Sequence, residues 1–380
     1  TSVKFGESKE DAVNSIQEEM SIENEGSEEE EMESKPYIEP DYYTGCSRKN
    51  KDTGTVYAHN RIVFGAPGTG KSFKLNDEQK DLISEGGEYE RVTFHPDYSY
   101  ANFVGTYKPV PTKNGISYEY VPGPFMRTYV KAIENGQSEN KEDVKPFLLL
   151  IEEINRGNAP AIFGEIFQLL DRKDAKKYPG EEGESEYGIS NYDIAREVYD
   201  GDSEHLVRIP SNLTLLATMN TSDQNVFTLD TAFQRRWDMR HVPNRFTDKH
   251  AEDMIEGSAI NWGAFAMVVN DLVIEVNTEM TGSGDKRLGA YFAKLNELKA
   301  EIFSEKVLKY LWDDAFRMDK QVVFDKRMTS LEKVLEAYQN AIGDPLKEVL
   351  KSDVYQKMSD KMKNMKKDSS DSAEESGVED

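Results

Sequence analysis

The fold class is decided by one stretch of eight residues, Gly65-Ala66-Pro67-Gly68-Thr69-Gly70-Lys71-Ser72. It fits the pattern G-x-x-x-x-G-K-[ST] of the phosphate-binding loop. In such a loop the glycines let the backbone curl so that several N–H groups face phosphate oxygens, and the following helix adds the positive end of its dipole. The ammonium group of Lys71 would contact the β- and γ-phosphates, and the Ser72 hydroxyl would bind magnesium. The stretch predicts a nucleotide site rather than a plain tight turn.

Strands and helices are predicted to alternate around this loop. Short apolar runs predict strands at 61–64, 91–94, 147–151, 206–210 and 213–218, of which 206–210 is expected at a sheet edge. Apolar residues recur at helical spacing between these runs, as in 161–170. Such alternation indicates a parallel α/β sheet.

The pattern changes after about residue 246. Strand signals stop there, and helical spacing appears in 262–280, 291–312 and 329–342. The expected fold is therefore an α/β core with a parallel sheet, followed by a small all-helical lid domain.

Two carboxylates, Glu152 and Glu153, follow the apolar run 147–151 directly. In a phosphate-loop protein the first acid at this position holds the magnesium shell and the second polarises the attacking water. The first acid is usually Asp, and the extra methylene of Glu152 shifts its carboxylate by roughly 1.5 Å. Magnesium often keeps water between itself and protein ligands, so the change can be tolerated. The alternative is a solvated acidic pair at a strand end.

The net charge of −24 is unevenly distributed. Residues 1–40 carry −10 and residues 368–380 carry −6. Such acidic blocks bury too little apolar surface to offset chain entropy, so we expect disordered tails, with docking onto a basic partner as the alternative. Residues 174–205 carry −7 and are predicted to form a long surface insertion. The rest of the chain is nearly neutral, so the acidity does not exclude DNA as a partner.

These observations suggest four segments: an acidic tail over 1–45, a nucleotide-binding domain over 46–245, a helical lid domain over 246–345, and a helix end with a second acidic tail over 346–380. The single cysteine, Cys46, excludes an intramolecular disulfide framework and a multi-cysteine zinc site. No apolar run approaches the roughly 18 residues of a membrane helix, and no signal peptide is visible. We therefore expect a soluble, cytoplasmic protein without membrane contact.

Further motifs resemble those of McrB-type AAA+ proteins, the motor subunits of restriction systems that cut modified DNA. Residues 151–158 (IEEINRGN) resemble the family's D-E-I-N-R-[AG]-N motif, with Glu152 in place of Asp. Residues 219–223 (MNTSD) and 229–237 (LDTAFQRRW) resemble its M-N-T-A-D and D-x-A-[LF]-x-R-R-[FW] segments. The stretch 94–103 resembles F-H-P-x-Y-x-Y-x-x-F. The resemblance covers about residues 60–245 and extends more weakly to about 330.

The resemblance implies roles for several residues outside the loop. Asn220 would be a sensor that bonds the attacking water or the γ-phosphate, instead of merely capping a turn, and Asp223 would order the loop that follows. Arg235 and Arg236 would reach the neighbouring subunit's site and stabilise transition-state charge, instead of being surface arginines. Arg287 would be a second sensor from the helical domain.

One aromatic stretch has two interpretations that the sequence does not separate. His95, Tyr98 and Tyr100 could line the central pore of a ring, or their rings could pack in the core.

For the whole chain the resemblance implies a nucleoside triphosphatase that uses Mg²⁺ and hydrolyses ATP or GTP, with the choice of base left open. It would form a homo-oligomer, a hexameric ring, and work with a McrC-like nuclease subunit, reaching DNA indirectly or through the ring. Two alternatives stay open: a MoxR- or dynein-like chaperone that remodels proteins, and a nucleotide-dependent assembly switch without turnover. Neither a reader of modified DNA nor a nuclease constellation is visible, so both are expected on other chains or in sequence outside this one.

Overall fold

A computed structural model describes residues 59–375 except 85, 114, 138–142, 180, 200–201, 203, 222–225 and 278–285. The predicted N-terminal tail and Cys46 lie outside the described residues. The strands are β1 (Asn60–Gly65), β2 (Glu88–Thr93), β3 (Gly105–Thr112), β4 (Gly115–Pro122), β5 (Phe147–Glu152), β6 (Leu213–Asn220) and β7 (Asp238–His241). The helices are α1 (Lys71–Ile83), α2 (Tyr100–Phe103), α3 (Pro124–Gly136), α4 (Ala159–Phe163), α5 (Tyr192–Val198), α6 (Thr231–Gln234), α7 (Trp262–Asn277), α8 (Ala300–Phe303), α9 (Leu331–Gln339), α10 (Pro345–Val349) and α11 (Ser352–Glu375).

A five-stranded parallel sheet forms the first half of the described chain, in the order β2-β5-β6-β1-β7. The strands β1, β5 and β6 occupy the centre, because their almost continuous apolar residues are buried on both faces. The edge strand β2 carries charges instead, as edge strands commonly do. All strands run the same way, so their carboxyl ends meet at one edge of the sheet, where ligands bind in folds of this kind.

The second half of the described chain is helical and has its own apolar core. That core is built from residues between Phe246 and Met358, and Trp262, Phe265, Phe303 and Tyr338 are among its buried aromatic side chains. The predicted α/β sheet followed by helices is confirmed. None of the described helices has both the length and the apolar composition that crossing a membrane requires.

A hairpin of β3 and β4 projects from the α/β part and was not predicted. On one of its faces Tyr107, Pro109 and Pro111 pair with Tyr120, Tyr118 and Ile116 across the strands. Most of this face is exposed, with Tyr118 and Ile116 each 71% accessible. The prolines remove two N–H donors, which hides the strand from a search for alternating β-branched residues.

Two sequence predictions differ from the structure in the α/β part. Residues 206–210 form no strand and make only the single bridge Val207–Ile189. The neighbouring Ile209 N–H instead donates to the Ser185 hydroxyl at 2.8 Å, and Pro210 has no N–H to continue a ladder. The predicted helix 161–170 ends early, because α4 stops at Phe163 and a 3₁₀ turn continues to Leu170.

The acidic stretch 174–205 is more than a surface loop. It contains α5, and three of its own residues, Ser185, Ile194 and Ala195, are completely buried. At the other end of the chain, α11 continues to Glu375, across part of the stretch for which the sequence predicted disorder. Residues 352–375 contain neither glycine nor proline, so nothing in the sequence stops the helix there.

Candidate nucleotide-binding site

The phosphate loop lies between β1 and α1, where the sequence predicted it. Gly68 and Gly70 have φ angles of 74° and 88°, a left-handed backbone that glycine adopts without strain. The Lys71 side chain is buried in the loop, and its Nζ donates to the carbonyl oxygens of Gly65 (3.1 Å) and Ala66 (2.7 Å). The Thr69 hydroxyl also donates to Ala66 O at 2.9 Å. The loop is therefore held in its curled form with the ammonium group at its centre.

The carboxylate of Glu152 lies beside Ser72, as expected of two residues that share a magnesium ion. The Ser72 hydroxyl donates to Glu152 Oε2 at 3.2 Å, and the Thr218 hydroxyl donates to the same oxygen at 2.6 Å. The other oxygen, Oε1, accepts from Arg91 Nη1 at 3.2 Å. The Glu152 side chain is only 14% exposed. Both carboxylate oxygens are thus fixed in direction.

Glu153 has the one positive φ angle among the non-glycine residues that the structure describes. Its φ and ψ are 54° and 50°, a left-handed conformation that costs an L-residue roughly 1 kcal/mol. The backbone N–H donates to the Thr218 hydroxyl at 2.9 Å, and the carboxylate forms an ion pair with Arg156. Strained conformations of this kind persist where surrounding structure enforces them, often at active sites. At Glu153 the contacts with Thr218 and Arg156 are the surrounding interactions that accompany this conformation.

Asn220 ends β6 directly opposite Gly65, the first residue of the loop. Its carbonyl accepts from Asn155 Nδ2 at 2.7 Å, which ties the end of β6 to the turn after Glu153. The sheet therefore brings Asn220, the loop and the two acids to one edge. Asp223 lies outside the described residues.

The two arginines after α6 have different surroundings. Arg236 forms an ion pair with Asp171 at 2.7 Å, lies 4.1 Å from the ring centre of Phe167, and its side chain is 9% exposed. Arg235 is exposed and makes no ion pair with a described residue. Arg236 is therefore held within its own chain, whereas Arg235 is exposed.

A short segment of the lid contacts the phosphate loop. We call residues 288–292 the lid bracket. The Tyr291 N–H donates to Gly68 O at 2.7 Å, and Gly289 packs against the backbone of Gly68. The bracket is fixed to α7, since Asn270 exchanges two hydrogen bonds with the backbone of Leu288 (2.7 and 2.9 Å). Arg287, the predicted second sensor, lines a cavity with Arg245, Asp271 and Lys361.

The contact between bracket and loop leaves no room for a side chain at position 289. A Cβ there would lie 2.2 Å from the carbonyl carbon of Gly68. We expect Gly289→Ala to displace the bracket and weaken nucleotide binding about tenfold, which corresponds to ~1.4 kcal/mol. Titration with a fluorescent nucleotide measures this. The control is Asn296→Ala, an exposed residue of the same helical part that lies outside the bracket. Unchanged affinity in Gly289→Ala would contradict the prediction.

Two of the three aromatic residues in 95–100, Tyr98 and Tyr100, pack against the α/β core. Tyr98 stacks on the buried Phe94, with ring centres 5.0 Å apart. The hydroxyl of Tyr100 contacts Glu165 and Asn191, and burial raises the pKa of Tyr100 to about 12. His95 is exposed. Core packing therefore accounts for both tyrosines, whereas the exposed His95 contacts only the edge of the Tyr98 ring among the described aromatic residues, at 5.3 Å between ring centres.

Sequence reasoning missed three contributors to this site: Arg91, Thr218 and the lid bracket. Arg91 and Thr218 come from strands that the sequence did predict, at the ends where parallel strands converge. Their proximity to Glu152 depends on strand order, which no local pattern contains. A glycine followed by an aromatic pair in 289–292 was the available signal for the bracket.

Comparison with known proteins defines the class. Residues 60–237 match the AAA domain of the dynein-related subfamily. The chain is 35% identical over 311 residues to the Bacillus subtilis "Type II restriction enzyme BsuMI component YdiS", covering 73% of this chain and 85% of that protein. It is 25% identical over 282 residues to the Escherichia coli "Type IV methyl-directed restriction enzyme EcoKMcrB subunit", covering 69% of this chain and 56% of that protein. The chain belongs to the McrB-like AAA+ nucleoside triphosphatases.

The donor atoms at the strand ends suit magnesium. Mg²⁺ prefers oxygen ligands, usually keeps several waters, and is commonly held by one or two protein side chains together with substrate phosphates. The Ser72 hydroxyl and Glu152 Oε2 are two such oxygens, within 3.2 Å of each other. No cluster of three or more His, Cys, Asp or Glu side chains among the described residues could hold a metal without a substrate. The residues therefore fit an ion that arrives with a nucleotide.

Proposed function

We propose that this chain is the nucleotide-hydrolysing motor subunit of a restriction or defence system, with ATP or GTP as substrate. The observation that carries the proposal is the convergence of Lys71, Ser72, Glu152 and Glu153 at one edge of the sheet. A buried cation, a hydroxyl and two carboxylates are the groups that phosphoryl transfer to water requires.

Each residue has a distinct task in the proposed reaction. The loop N–H groups and Lys71 bind the β- and γ-phosphates and orient the γ-phosphate for in-line attack. Ser72 and Glu152 would hold Mg²⁺, which supplies neutralisation of the charge on the phosphates. Glu153 accepts a proton from the attacking water, and Asn220 orients that water or the γ-phosphate. Asp223 would order the loop beside them, and Arg287 would complete the site from the lid.

The partner assignments rest on the relatives. Both are named as one part of a multi-component restriction enzyme, a "component" and a "subunit". We therefore propose that this chain forms a hexameric ring, in which Arg235 completes the neighbouring subunit's site. The ring would drive a McrC-like nuclease subunit, with DNA contacted through that partner or through the ring.

Hydrolysis by the purified chain tests the proposal directly. Phosphate release is measured with ATP and with GTP, alone and with the partner nuclease, and the mass of the assembly is determined with each nucleotide. We expect turnover of one of them, together with a nucleotide-dependent increase in mass. Absence of turnover under all conditions, with nucleotide still bound, would favour the assembly switch instead.

Glu153→Gln separates chemistry from binding. Glutamine keeps the size of the side chain but cannot accept the proton, so we expect kcat to fall about a hundredfold while nucleotide affinity stays within about twofold. Phosphate release and fluorescent-nucleotide titration measure the two quantities. The matched control is Glu197→Gln, an exposed carboxylate in the acidic stretch 174–205. A loss of affinity equal to the loss of kcat would argue against Glu153 as the base.

A further inference from the structure

Glu152, which stands where an aspartate is usual, has Arg91 as a hydrogen-bonded neighbour. Arg91 lies near the end of β2, the strand beside β5, and its side chain is 37% exposed. Nη1 donates to Glu152 Oε1 at 3.2 Å. Nη2 donates to Gln79 Oε1 at 3.1 Å and also contacts Asn76 Oδ1, so two residues of α1 hold the same guanidinium.

These contacts join the two elements that carry the magnesium ligands. The helix α1 begins with Lys71 and Ser72, and β5 ends with Glu152. Arg91 bridges them, because its planar guanidinium can donate in two directions at once. The carboxylate is then held on one side by Arg91 and on the other by Ser72 and Thr218. Oε2 is thereby kept facing Ser72.

A glutamate at this position needs such a bridge more than an aspartate does. Its side chain has one more rotatable bond, and fixing it costs more conformational entropy. It also reaches about 1.5 Å further. With aspartate at position 152 the carboxylate would end short of Arg91 and beyond hydrogen-bond distance, so the bridge would have no function.

The geometry points to Arg91 as a positioning residue that adapts the magnesium site of this chain to Glu152. Arg91 acts through the carboxylate of Glu152, and its contribution to metal binding depends on the length of the side chain at position 152. The inference deepens the proposed hydrolysis and rests on it for the kinetic part of its test. The binding part below does not require turnover.

The test is a double-mutant cycle of Arg91→Gln and Glu152→Asp in the full chain. Loss of a residue that orients a metal ligand typically costs 10–100-fold in metal affinity or activity. In the parent background we therefore expect Arg91→Gln to lower kcat about tenfold and raise the Mg²⁺ concentration at half-maximal rate about tenfold. The KM for nucleotide should change by less than about twofold, since the phosphate loop is untouched. In the Glu152→Asp background, Arg91→Gln should change each quantity by less than about twofold.

A binding measurement gives a readout independent of turnover. Mn²⁺ is titrated into each variant with a non-hydrolysable nucleotide analogue, and free Mn²⁺ is followed by electron paramagnetic resonance. We expect Arg91→Gln to weaken Mn²⁺ binding about tenfold only when residue 152 is Glu. Arg91→Lys keeps the charge but cannot reach Glu152 and α1 together, so it should resemble Arg91→Gln rather than the parent.

The control is Arg127→Gln, which removes another exposed ion pair of β2, that between Arg127 and Glu90. It should leave metal binding unchanged. Equal effects of Arg91→Gln in both backgrounds would overturn the inference, since Arg91 would then only brace α1. Tighter Mn²⁺ binding in Arg91→Gln would also overturn it, because Arg91 would then compete with the metal. If the parent shows no turnover while the Mn²⁺ cycle behaves as expected, the proposed hydrolysis fails and the positioning role stands.

Discussion

Arg235→Ala is expected to reduce kcat about a thousandfold while leaving nucleotide affinity within about twofold. An arginine supplied to the transferring phosphate from a neighbouring subunit stabilises charge that develops only in the transition state, and such arginines contribute 10³–10⁵ in kcat. Arg235 fits this role because it is exposed directly after α6, whereas Arg236 is held by Asp171 and Phe167 of its own chain. Phosphate release and nucleotide titration measure the two effects.

A mixing experiment shows whether Arg235 acts on the neighbouring site. Arg235→Ala retains an intact phosphate loop, and Lys71→Ala retains the arginine, so a ring containing both has some interfaces with every group present. We expect each variant alone to be inactive and the mixture to recover part of the parent rate. Arg240→Ala, which removes a nearby arginine with a 57% exposed side chain, should behave like the parent. A mixture that stays inactive, although the assembly forms, would place Arg235 outside the neighbouring site.

Lys71→Ala is expected to lower the affinity for nucleoside triphosphate about a thousandfold and to abolish measurable turnover. Removing one partner of a buried charged contact costs 2–5 kcal/mol or more, and about 4 kcal/mol corresponds to a thousandfold. Lys71 is buried inside the loop, and its Nζ lies within 3.1 Å of two loop carbonyls, so no other side chain can take its place. Calorimetric titration with nucleotide and Mg²⁺ measures the loss.

Lys74→Ala provides the matched control for the lysine. Lys74 is on the same helix, one turn along, but its side chain is exposed. Its removal changes the net charge by the same amount and should leave affinity unchanged. A similar loss in both variants would mean that the charge of α1, and not the position of Lys71, determines binding. Because Lys71 lies in the core of the loop, the melting temperature of each variant confirms that it is folded.

The parts of the fold that sequence predicted are those with a strong local signal. The buried strands β1, β5 and β6 are almost continuous apolar runs. The phosphate loop is recognised from the spacing of glycine, lysine and serine within eight residues. The edge strand β7 and the hairpin of β3 and β4 were not predicted, because their signals are weak or mixed. The strand β7 has only four residues, which are mostly polar, and β3 contains two prolines. The run 206–210 is largely apolar, as a strand would be, but its pairing stops after the Val207–Ile189 bridge, because Ile209 N–H donates to a side chain and Pro210 has no N–H.

For the site, residue types were predictable and relative positions were not. Lys71, Ser72, Glu152 and Glu153 follow from motif and context, and the structure brings them together. The two adjacent arginines differ because Asp171 holds Arg236 and leaves Arg235 exposed, and Asp171 is 65 residues distant from Arg236 in sequence. The bridge from Arg91 to Glu152 requires β2 to lie beside β5, which is a property of sheet order. Tertiary contacts of this kind have no counterpart in local spacing.

The hydrogen bond from Tyr291 N–H to Gly68 O connects the phosphate loop directly to the lid. The two halves of the chain have separate apolar cores, and each therefore moves more easily as a rigid body than it deforms. The helix α11 contains 24 residues and is about 36 Å long. A rotation of about 5° between the two halves would displace a point one such length away by about 3 Å, which exceeds the helix shifts of about 1–2 Å at subunit interfaces of allosteric proteins. A phosphate group bound by the loop would therefore be only one hydrogen bond, from Tyr291 N–H to Gly68 O, away from the backbone of the lid.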